Sequence, residues 1–328
     1  MPGPLISVVV IARNEESHIG RVLESALAAV AGLDSEVIFV DSASTDGTAA
    51  VARGFFAVRV IGLDPSWPLC PAAGRHIGGR AASGRFIFFL DGDTTLEPGF
   101  LETALPYIEA HDEVAALFGK RRECGRLSDG RTVVFKEDAY NIAEVRPYHP
   151  GDGIGGSGLY RAAALKEVGG FNPWLCSYEE AELCTRLYDS GHQLLFIPQP
   201  MIVHHDHRPT SLTELRRRLR QNLLLGRGQV LRLHPYRRPH YRGLARVLGM
   251  LAYMAALPAL SLAALAGGGA TPLLAWPVLM AMLYLLFVAR ARGVAKPLLY
   301  LALWAVEACK LVQGFARTPR DPADYPGC

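Results

Sequence analysis

The residues most suited to chemistry are two aspartates separated by one glycine, Asp91-Gly92-Asp93. They follow the apolar run of residues 86–90, so both carboxylates leave the end of a buried strand. Hard cations such as Mg²⁺ and Mn²⁺ bind carboxylate and phosphate oxygens together and usually need only one or two protein carboxylates. The same tripeptide also forms ordinary turns. Its position after a buried strand favours a metal site, and we expect Asp91 and Asp93 to bind Mg²⁺ or Mn²⁺ with a diphosphate.

A further acidic residue ends another apolar run. Asp41 closes the stretch of residues 36–40 and precedes a loop rich in serine and threonine. A carboxylate at this position can accept a hydrogen bond from the N–H group of a base, whereas polar residues farther along such a loop commonly cap the next helix. We therefore expect Asp41 to bind ligand and Asp46 to order the loop.

A histidine-rich run, His204-His205-Asp206-His207, follows a strand-like stretch. A tight zinc site normally has better-spaced ligands, and at most one or two of these side chains can reach one ion. We assign His204 to the metal–diphosphate site and leave the others at the surface or on the acceptor side.

The acidic segment around Glu179 and Glu180 has two interpretations. The spacing fits a solvated helix face on which Glu182 and Arg186 form an i,i+4 pair. Alternatively, a carboxylate at the start of a helix that faces a nucleotide cleft would be a general base for an attacking hydroxyl.

Strands and helices must alternate to bring these side chains together. Apolar runs typical of buried strands cover residues 5–12, 36–40, 58–61 and 85–90, and helical spacing covers 15–31 and 72–83. This alternation predicts a parallel α/β sheet, in which ligands bind beyond the carboxyl ends of the strands. Because Asn14, Asp41 and Asp91 each follow a strand, we expect them to meet at one edge of the sheet.

The composition separates the chain into two parts. Half of the 328 residues are hydrophobic and the mean hydropathy is +0.16, with the apolar excess concentrated after about residue 244. The net charge of +3 is too small to indicate a nucleic-acid partner, and the basic cluster at 216–246 suits a membrane surface. The six cysteines include no Cys-x-x-Cys pair, so we expect free thiols in a reducing compartment. The first residues lack the features of a signal peptide, so we expect a cytoplasmic first domain.

Two later apolar segments are long enough to cross a bilayer. Residues 244–266 and 272–289 are joined by an uncharged link and flanked on both outer sides by arginine, which predicts a hairpin in the inner membrane with cytoplasmic flanks. Residues 297–315 contain Glu307 and Lys310, which favours an interfacial helix over a third span. The predicted division is 1–210 for the catalytic domain, 211–243 for a basic amphipathic segment, 244–292 for the hairpin and 293–328 for the last helix and tail.

These elements, in this order, resemble the family 2 glycosyltransferases, which have the GT-A nucleotide-sugar-binding fold. The similarity covers the first strand with its Asn14-Glu15 turn, the segment 40–48, the stretch from Arg75 into Asp91, and the glycine-rich loop 155–158. The segment that follows is similar to membrane-tethered, exopolysaccharide-type members. The resemblance implies an α/β fold with a mixed, mainly parallel sheet flanked by helices.

The resemblance also implies a role for each matching residue. It implies that the nucleotide is contacted by Ala12, Asn14, Glu15, Asp41, Arg75, Asp91 and Gly156. The metal ligands that it implies are Asp91, Asp93 and His204. Glu180 stands where the family has the catalytic aspartate of a Glu-Asp pair, so either the acceptor lies farther away or Glu179 shares the role of base. Arg220 and Arg227 match a segment that closes over the diphosphate, with anchoring to anionic lipid as the alternative.

The activity that follows is inverting transfer of a sugar from a nucleotide-sugar, expected to be a UDP-sugar, to a hydroxyl of a lipid-linked saccharide or lipid. The setting would be the synthesis of cell-surface polysaccharide or glycolipid. Polyprenyl phosphate is an alternative acceptor, but it is already anionic and needs no base. A catalytically silent membrane scaffold is another alternative, supported only by Glu180 in place of aspartate. A nucleotidyltransferase would need a glycine-rich loop with a lysine, which residues 5–16 lack.

Overall fold

The computed structural model describes residues 3–126, 131–150, 152–205, 212–220, 222–237, 266 and 295–326. The chain divides into two compact units, Met1–Pro209 together with Pro319–Cys328, and Thr210–Thr318. The final residues, predicted to belong with the last helix, are thus part of the first unit. The reason is that Tyr325 packs against Trp67 and Trp174 there.

The first unit contains a ten-stranded sheet. Its strands are β1 (Ile6–Ala12), β2 (Ser35–Asp41), β3 (Val58–Gly62), β4 (Phe86–Asp91), β5 (Thr94–Leu96), β6 (Val114–Arg126), β7 (Thr132–Lys136), β8 (Arg146–Pro147), β9 (Gly158–Arg161) and β10 (Gln193–His204). Its helices are α1 (Glu16–Ala29), α2 (Thr48–Arg53), α3 (Pro71–Ala81), α4 (Phe100–Ala110), α5 (Ala162–Glu167) and α6 (Glu179–Asp189), with a 3-10 helix at Pro322–Asp324.

The sheet is mixed. Its order is β3-β2-β1-β4-β9-β6-β10-β5, with β7 beside β6 and β8 beside β10. Strands β1 to β4 pair in parallel, as do β6 and β10, whereas β9 runs antiparallel between β4 and β6. The predicted α/β fold with flanking helices is confirmed, and β1 to β4 are the four strands expected from the apolar runs. The two strand-like pieces expected near residue 200 form the single strand β10, whose pairing is irregular around Pro200 because proline donates no hydrogen bond.

Both faces of the sheet are covered, which explains the continuous β-branched runs. Successive side chains of a strand alternate between faces. Accordingly, Ile6, Val8 and Val10 of β1 pack into one core with α1 and α4. Val9 and Ile11 pack into a second core with α3 and α6.

The register of the parallel strands decides which residues meet at the carboxyl edge. Ala12 pairs with Asp41, and Ile11 pairs with Asp91. The ends of β1, β2 and β4 therefore lie side by side, and the polar residues after them share one edge, as the sequence predicts.

The second unit contains α7 (Leu212–Arg220), α8 (Gly226–Leu233) and α9 (Ala295–Ala316). α8 and α9 pack closely at glycines, because a Cβ on Gly228 would overlap backbone at Leu311 and one on Gly314 would overlap backbone at Leu225. The predicted spans, 244–266 and 272–289, lie almost wholly outside the described residues. Among the helices that are described, none has both the length and the apolar content needed to cross a membrane.

Candidate active site

Asp41 presents a buried oxygen at the carboxyl edge of the sheet. Its side chain is 7% exposed. Oδ2 accepts a hydrogen bond from the Ser44 amide at 3.1 Å, whereas Oδ1 has no hydrogen-bond partner in the part of the chain that the structure describes. A buried polar atom without a partner is costly and rare. An N–H group of a ligand would satisfy this oxygen, and the predicted contact of Asp41 with a nucleobase remains a prediction.

The turn after β1 and the loop after β2 hold each other in place. Asn14 Oδ1 accepts from the Thr45 amide at 2.8 Å, and the Asn14 amide donates to Ser44 Oγ at 2.9 Å. Asn14 has a positive φ of 59°, a conformation that asparagine tolerates better than most residues. The Glu15 amide donates to Thr48 Oγ1 at 2.8 Å. The contacts found for Asn14 and Glu15 are thus structural, and their predicted contacts with a nucleotide remain predictions.

Asp46 orders the same loop at the start of α2, as predicted. Its Oδ1 accepts hydrogen bonds from the Thr48 amide at 3.0 Å and from Thr48 Oγ1 at 2.5 Å. These bonds outweigh the opposing effect of burial and lower the pKa of Asp46. The carboxylate satisfies an amide that the first turn of a helix leaves without a backbone partner.

Arg75 on α3 is a buried hub for three carboxylates. Its side chain is only 2% exposed. Nη1 lies 2.5 Å from Glu179 Oε1, and Nη2 lies 2.5 Å from Asp91 Oδ1 and 3.6 Å from Glu180 Oε1. Burial works against the charge, but the three carboxylates outweigh it and raise the pKa of Arg75. Arg75 thus links the end of β4 to the start of α6.

Two glycines allow this close packing. A Cβ on Gly156 would overlap the Arg75 guanidinium and the Asp91 carboxylate, while the Gly156 carbonyl accepts from Arg75 Nε at 3.2 Å. A Cβ on Gly92 would lie 2.5 Å from the Cβ of Ala12. Gly156 and Ala12, both predicted to contact a nucleotide, therefore line the same crowded edge as Asp91.

Glu179 and Glu180 begin α6 but differ in their surroundings. Tyr178, which precedes them, has a positive φ of 63°. Glu179 is 3% exposed and bound to Arg75, whereas Glu180 is 15% exposed and more distant from that guanidinium. Burial raises the pKa of both carboxyls, and the charge of Glu180 adds to the increase at Glu179. Glu180 is thus the better placed of the two to take a proton from a ligand.

The interpretation of this segment as a solvated helix face is wrong, because Glu179 and Glu182 are each only 3% exposed, and the role of Glu180 as a general base remains a prediction. Glu182 and Arg186 form the predicted i,i+4 pair, with Arg186 Nη2 2.7 Å from Glu182 Oε2. Arg186 also donates to the carbonyls of Val168 and Gly170. This pair fixes α6 to the preceding turn, while the first residues of the helix lie beside Arg75.

Asp93 and His204 form a second charged group. His204 Nε2 lies 3.2 Å from Asp93 Oδ2, and His204 Nδ1 lies 2.6 Å from Glu123 Oε2. Burial lowers the pKa of His204, but its hydrogen bonds to Asp93 and Glu123 outweigh burial and raise it to about 9. Burial raises the pKa of Asp93, but His204 outweighs it, and the result is a lowered pKa.

Binding of a divalent ion by Asp93 and His204 remains a prediction, and it requires His204 to lose the proton that its raised pKa favours. Among the described residues, no three His, Cys, Asp or Glu side chains are arranged to hold an ion by themselves. Asp93 and His204 supply two adjacent donors, and Mg²⁺ or Mn²⁺ commonly takes its remaining ligands from phosphate and water. In known metal sites a carboxylate often accepts a hydrogen bond from the second nitrogen of the histidine ligand, and Glu123 has this position relative to His204. Asp91 faces Arg75 instead, and its share in the ion remains a prediction.

Arg121 and Glu123 of β6 were not predicted from the sequence. Arg121 Nε lies 2.8 Å from Glu123 Oε1, and its Nη2 lies 3.2 Å from His204 Nδ1. The sheet pairs Glu123 directly with His204. The available signal was a run of four charged residues, 120–123, after the apolar first part of the strand. Arg220 and Arg227 belong to the second unit, and their predicted role at a diphosphate remains a prediction.

Comparison with known proteins agrees with this geometry. A family profile described as "Glycosyl transferase family 2" matches residues 7–169. The match includes Asp41, Arg75, Asp91, Asp93 and Gly156, and it ends before α6.

Similar proteins point to the same group. The pre-mycofactocin glycosyltransferase of Mycobacterium tuberculosis is 31% identical over 147 residues, which are 42% of this chain and 30% of that protein. Succinoglycan biosynthesis protein ExoO of Rhizobium meliloti is 38% identical over 109 residues, 33% of this chain and 30% of that protein. The chain thus spans about 30% of the length of these relatives.

A solved structure shares the fold. The crystal structure of S. aureus TarS 1-349 in complex with UDP-GlcNAc superimposes with a TM-score of 0.52 at 20% identity, covering 63% of this chain and 60% of that one. With the profile match and the relatives, residues 7–169 place this chain in glycosyl transferase family 2.

Proposed function

We propose that this chain transfers a sugar from a nucleotide-sugar, in our interpretation a UDP-sugar, to a hydroxyl group of a lipid-linked saccharide or lipid. The observation that carries the proposal is the edge where β2 and β4 end. There Asp41 has a buried oxygen that no described residue hydrogen-bonds, and Arg75 lies beside Asp91, Glu179 and Glu180. Asp41, the candidate for binding the nucleobase, and Glu180, the candidate general base, thus lie at one edge of the sheet, as transfer from a nucleotide donor requires.

Each of these residues has its own role in the proposed reaction. Asp41 accepts a hydrogen bond from an N–H of the base, which fixes the nucleotide. Asp93 and His204 would hold a divalent ion, which neutralises charge on the leaving diphosphate when bound. Glu180 takes the proton of the acceptor hydroxyl. The new bond forms between that oxygen and the anomeric carbon as the bond to the diphosphate breaks, so the anomeric configuration inverts.

Glu179 and Arg75 support this chemistry without transferring the proton. Arg75 is fully engaged by protein groups, and its charge stabilises the ionised form of Glu180, which must be a carboxylate to act as base. Glu179 neutralises part of the same guanidinium. The longer side chain at position 180, glutamate where aspartate is usual, reaches an acceptor about one methylene farther from the helix.

The proposed acceptor and the proposed location in the cell are supported by other observations. ExoO is a succinoglycan biosynthesis protein by name, and TarS was crystallised with UDP-GlcNAc, which supports a UDP-sugar and a role in polysaccharide synthesis. The arginine-rich segment and the apolar residues 244–289 support a site on the cytoplasmic side of the inner membrane. A membrane position would bring the chain to lipid-linked acceptors.

The test is release of nucleoside diphosphate by the purified full chain in detergent. A panel of nucleotide-sugars is incubated with Mg²⁺ or Mn²⁺, for the wild type, Asp93→Ala and Asp112→Ala. Asp112 is a matched control, because its side chain is 98% exposed. We expect turnover of at least one donor, lost in Asp93→Ala and kept in Asp112→Ala. If no donor turns over, or if Asp93→Ala is as active as the wild type, the proposal is wrong.

A further inference from the structure

A segment far along the chain packs within the first unit, with one buried tyrosine at its centre. Tyr325 is 3% exposed. Its ring centroid lies 5.7 Å from that of Trp67, 5.3 Å from that of Trp174 and 6.1 Å from that of His76. Its hydroxyl donates to the Pro68 carbonyl at 2.9 Å. We call residues 319–326 the docking segment.

The docking segment binds Trp174 at more than one point. Trp174 Nε1 donates to the Asp321 carbonyl at 2.8 Å, and the Arg320 guanidinium carbon lies 4.8 Å from the centroid of a Trp174 ring. Asp321 also caps the short 3-10 helix, because its Oδ1 accepts from the Ala323 amide at 2.9 Å. The segment is therefore ordered by its own cap and by contacts with both tryptophans.

The docking segment touches two loops that have no helix or strand of their own. One is residues 63–70, which lead from β3 to α3, and the other is residues 171–178, which lead to α6. The loops also contact each other, since the Cys70 thiol donates to the Pro173 carbonyl at 3.1 Å and the rings of Trp67 and Trp174 lie 5.9 Å apart. Tyr325 thus closes a layer formed by both loops.

The second loop leads directly to the carboxylates of the site. The Phe171 carbonyl accepts from His76 Nδ1 at 2.8 Å, and the Phe171 ring lies 5.7 Å from the Arg75 guanidinium carbon. The loop ends at Tyr178, whose positive φ is followed at once by Glu179. A strained backbone conformation of this kind costs on the order of 1–3 kcal/mol and persists only where the surroundings hold it.

We propose that Tyr325 is a positioning residue for glycosyl transfer, which fixes the loop of residues 171–178 so that Glu179 stays on Arg75 and Glu180 faces the acceptor. The inference rests on the proposed function for its activity readout. It assigns the docking segment a part in building the site, although Tyr325 lies some 145 residues beyond Glu180 in sequence. Tyr325 acts through the loop and touches no substrate.

The experiment compares Tyr325→Ala and Tyr325→Phe with Tyr107→Ala in the full chain. Tyr325→Phe keeps the ring contacts and loses only the hydroxyl bond to Pro68. Tyr107→Ala is the matched control, because that ring stacks on His111 at 4.4 Å and packs against the opposite core. Donor turnover, UDP affinity and amide hydrogen exchange of residues 171–183 are measured below the melting temperature of each variant.

We expect Tyr325→Ala to lower kcat by about 10- to 100-fold, the range seen when a catalytic group is displaced by about 1 Å. UDP affinity should change little, because Asp41 lies outside the loop, and exchange of residues 171–178 should accelerate. Tyr325→Phe should restore most of kcat. If Tyr325→Ala does not fold, Tyr325→Leu replaces it with the same expectation.

The outcomes separate this inference from the proposed function. An unchanged kcat in Tyr325→Ala, or a loss no larger than in Tyr107→Ala, overturns the positioning role while leaving the function intact. A wild type that turns over no donor contradicts the proposed function. In that case faster exchange in both contacted loops, residues 63–70 and 171–178, in Tyr325→Ala would still support the docking contact, and unaltered exchange would overturn it.

Discussion

Removing the Arg75 charge should destabilise the first unit far more than removing an exposed arginine. Arg75→Met keeps most of the apolar stem but leaves Asp91, Glu179 and Glu180 together without their cation. Breaking a buried ion pair by removing one partner typically costs about 3–5 kcal/mol. We expect a loss in the free energy of unfolding of this size at pH 7.

Two variants test whether the loss comes from unpaired charge. Arg85→Met removes a matched but exposed pair, in which Arg85 Nη2 lies 3.0 Å from Glu109 Oε1, and should cost at most about 1 kcal/mol. The double variant Arg75→Met/Glu179→Gln should be more stable than Arg75→Met, because one buried carboxylate is gone. If the stability losses of the single variants Arg75→Met and Glu179→Gln simply add up to the loss in the double variant, this reasoning is contradicted.

The pH dependence has a definite sign. Without Arg75, the pKa of each buried carboxyl in the folded state rises further above its unfolded value. As pH rises, these carboxyls then lose their protons in the unfolded state before they do so in the folded state. The free energy of unfolding of Arg75→Met is therefore retained below the ordinary glutamate pKa of 4.5 and falls as the pH rises from there through the raised pKa values of the folded state. The penalty of Arg75→Met should therefore shrink as the solution is acidified.

Native-state hydrogen exchange of amides in β1 and β4, with added urea, gives the free energy of unfolding of the first unit itself. An Arg75→Met variant that loses no more stability than Arg85→Met would refute the account of Arg75 as a charge hub. A penalty that grows on acidification would refute it as well.

Three further outcomes follow from the site. Glu180→Gln should lower transfer by about 100-fold or more while sparing UDP binding, and unimpaired transfer in this variant would place the base elsewhere. Wild-type transfer should increase with pH above the ordinary glutamate pKa of 4.5 as the base loses its proton. Glu123→Gln should weaken Mn²⁺ binding in the presence of UDP by about 10- to 100-fold in a paramagnetic resonance titration, whereas the exposed Glu137→Gln should not; equal affinities would contradict the role of Glu123. Gly156→Ala should displace Arg75 and lower the melting temperature measured by circular dichroism, and an unchanged value would show that the loop relaxes freely.

The edge of the sheet was predictable because its signals are local. Each apolar run ends in its own polar residue, and parallel strands bring those ends together, so Asp41 and Asp91 could be placed from sequence. The helix start at Glu179 was also readable.

The partners of these residues were not predictable, because they depend on long-range register. Glu123 meets His204 across paired strands 81 residues apart, and Arg75 binds Glu179 across 104 residues. Tyr325 was assigned to a tail with the last helix, since nothing near it in sequence indicates Trp67 or Trp174. The predicted hairpin, 244–292, falls almost entirely outside the described residues and stays a prediction.

The most direct test of a nucleotide-binding edge is a calorimetric titration of UDP with Mn²⁺ into the wild type and Asp41→Ala. Loss of a hydrogen bond to a charged acceptor should raise the Kd by roughly 10- to 100-fold. Asp64→Ala is the control, since Asp64 is an exposed residue after β3 whose carboxylate accepts from the Ser66 amide at 2.8 Å, and this variant should bind UDP like the wild type. Equal UDP affinity in the wild type and Asp41→Ala, or no binding by either, would contradict the account.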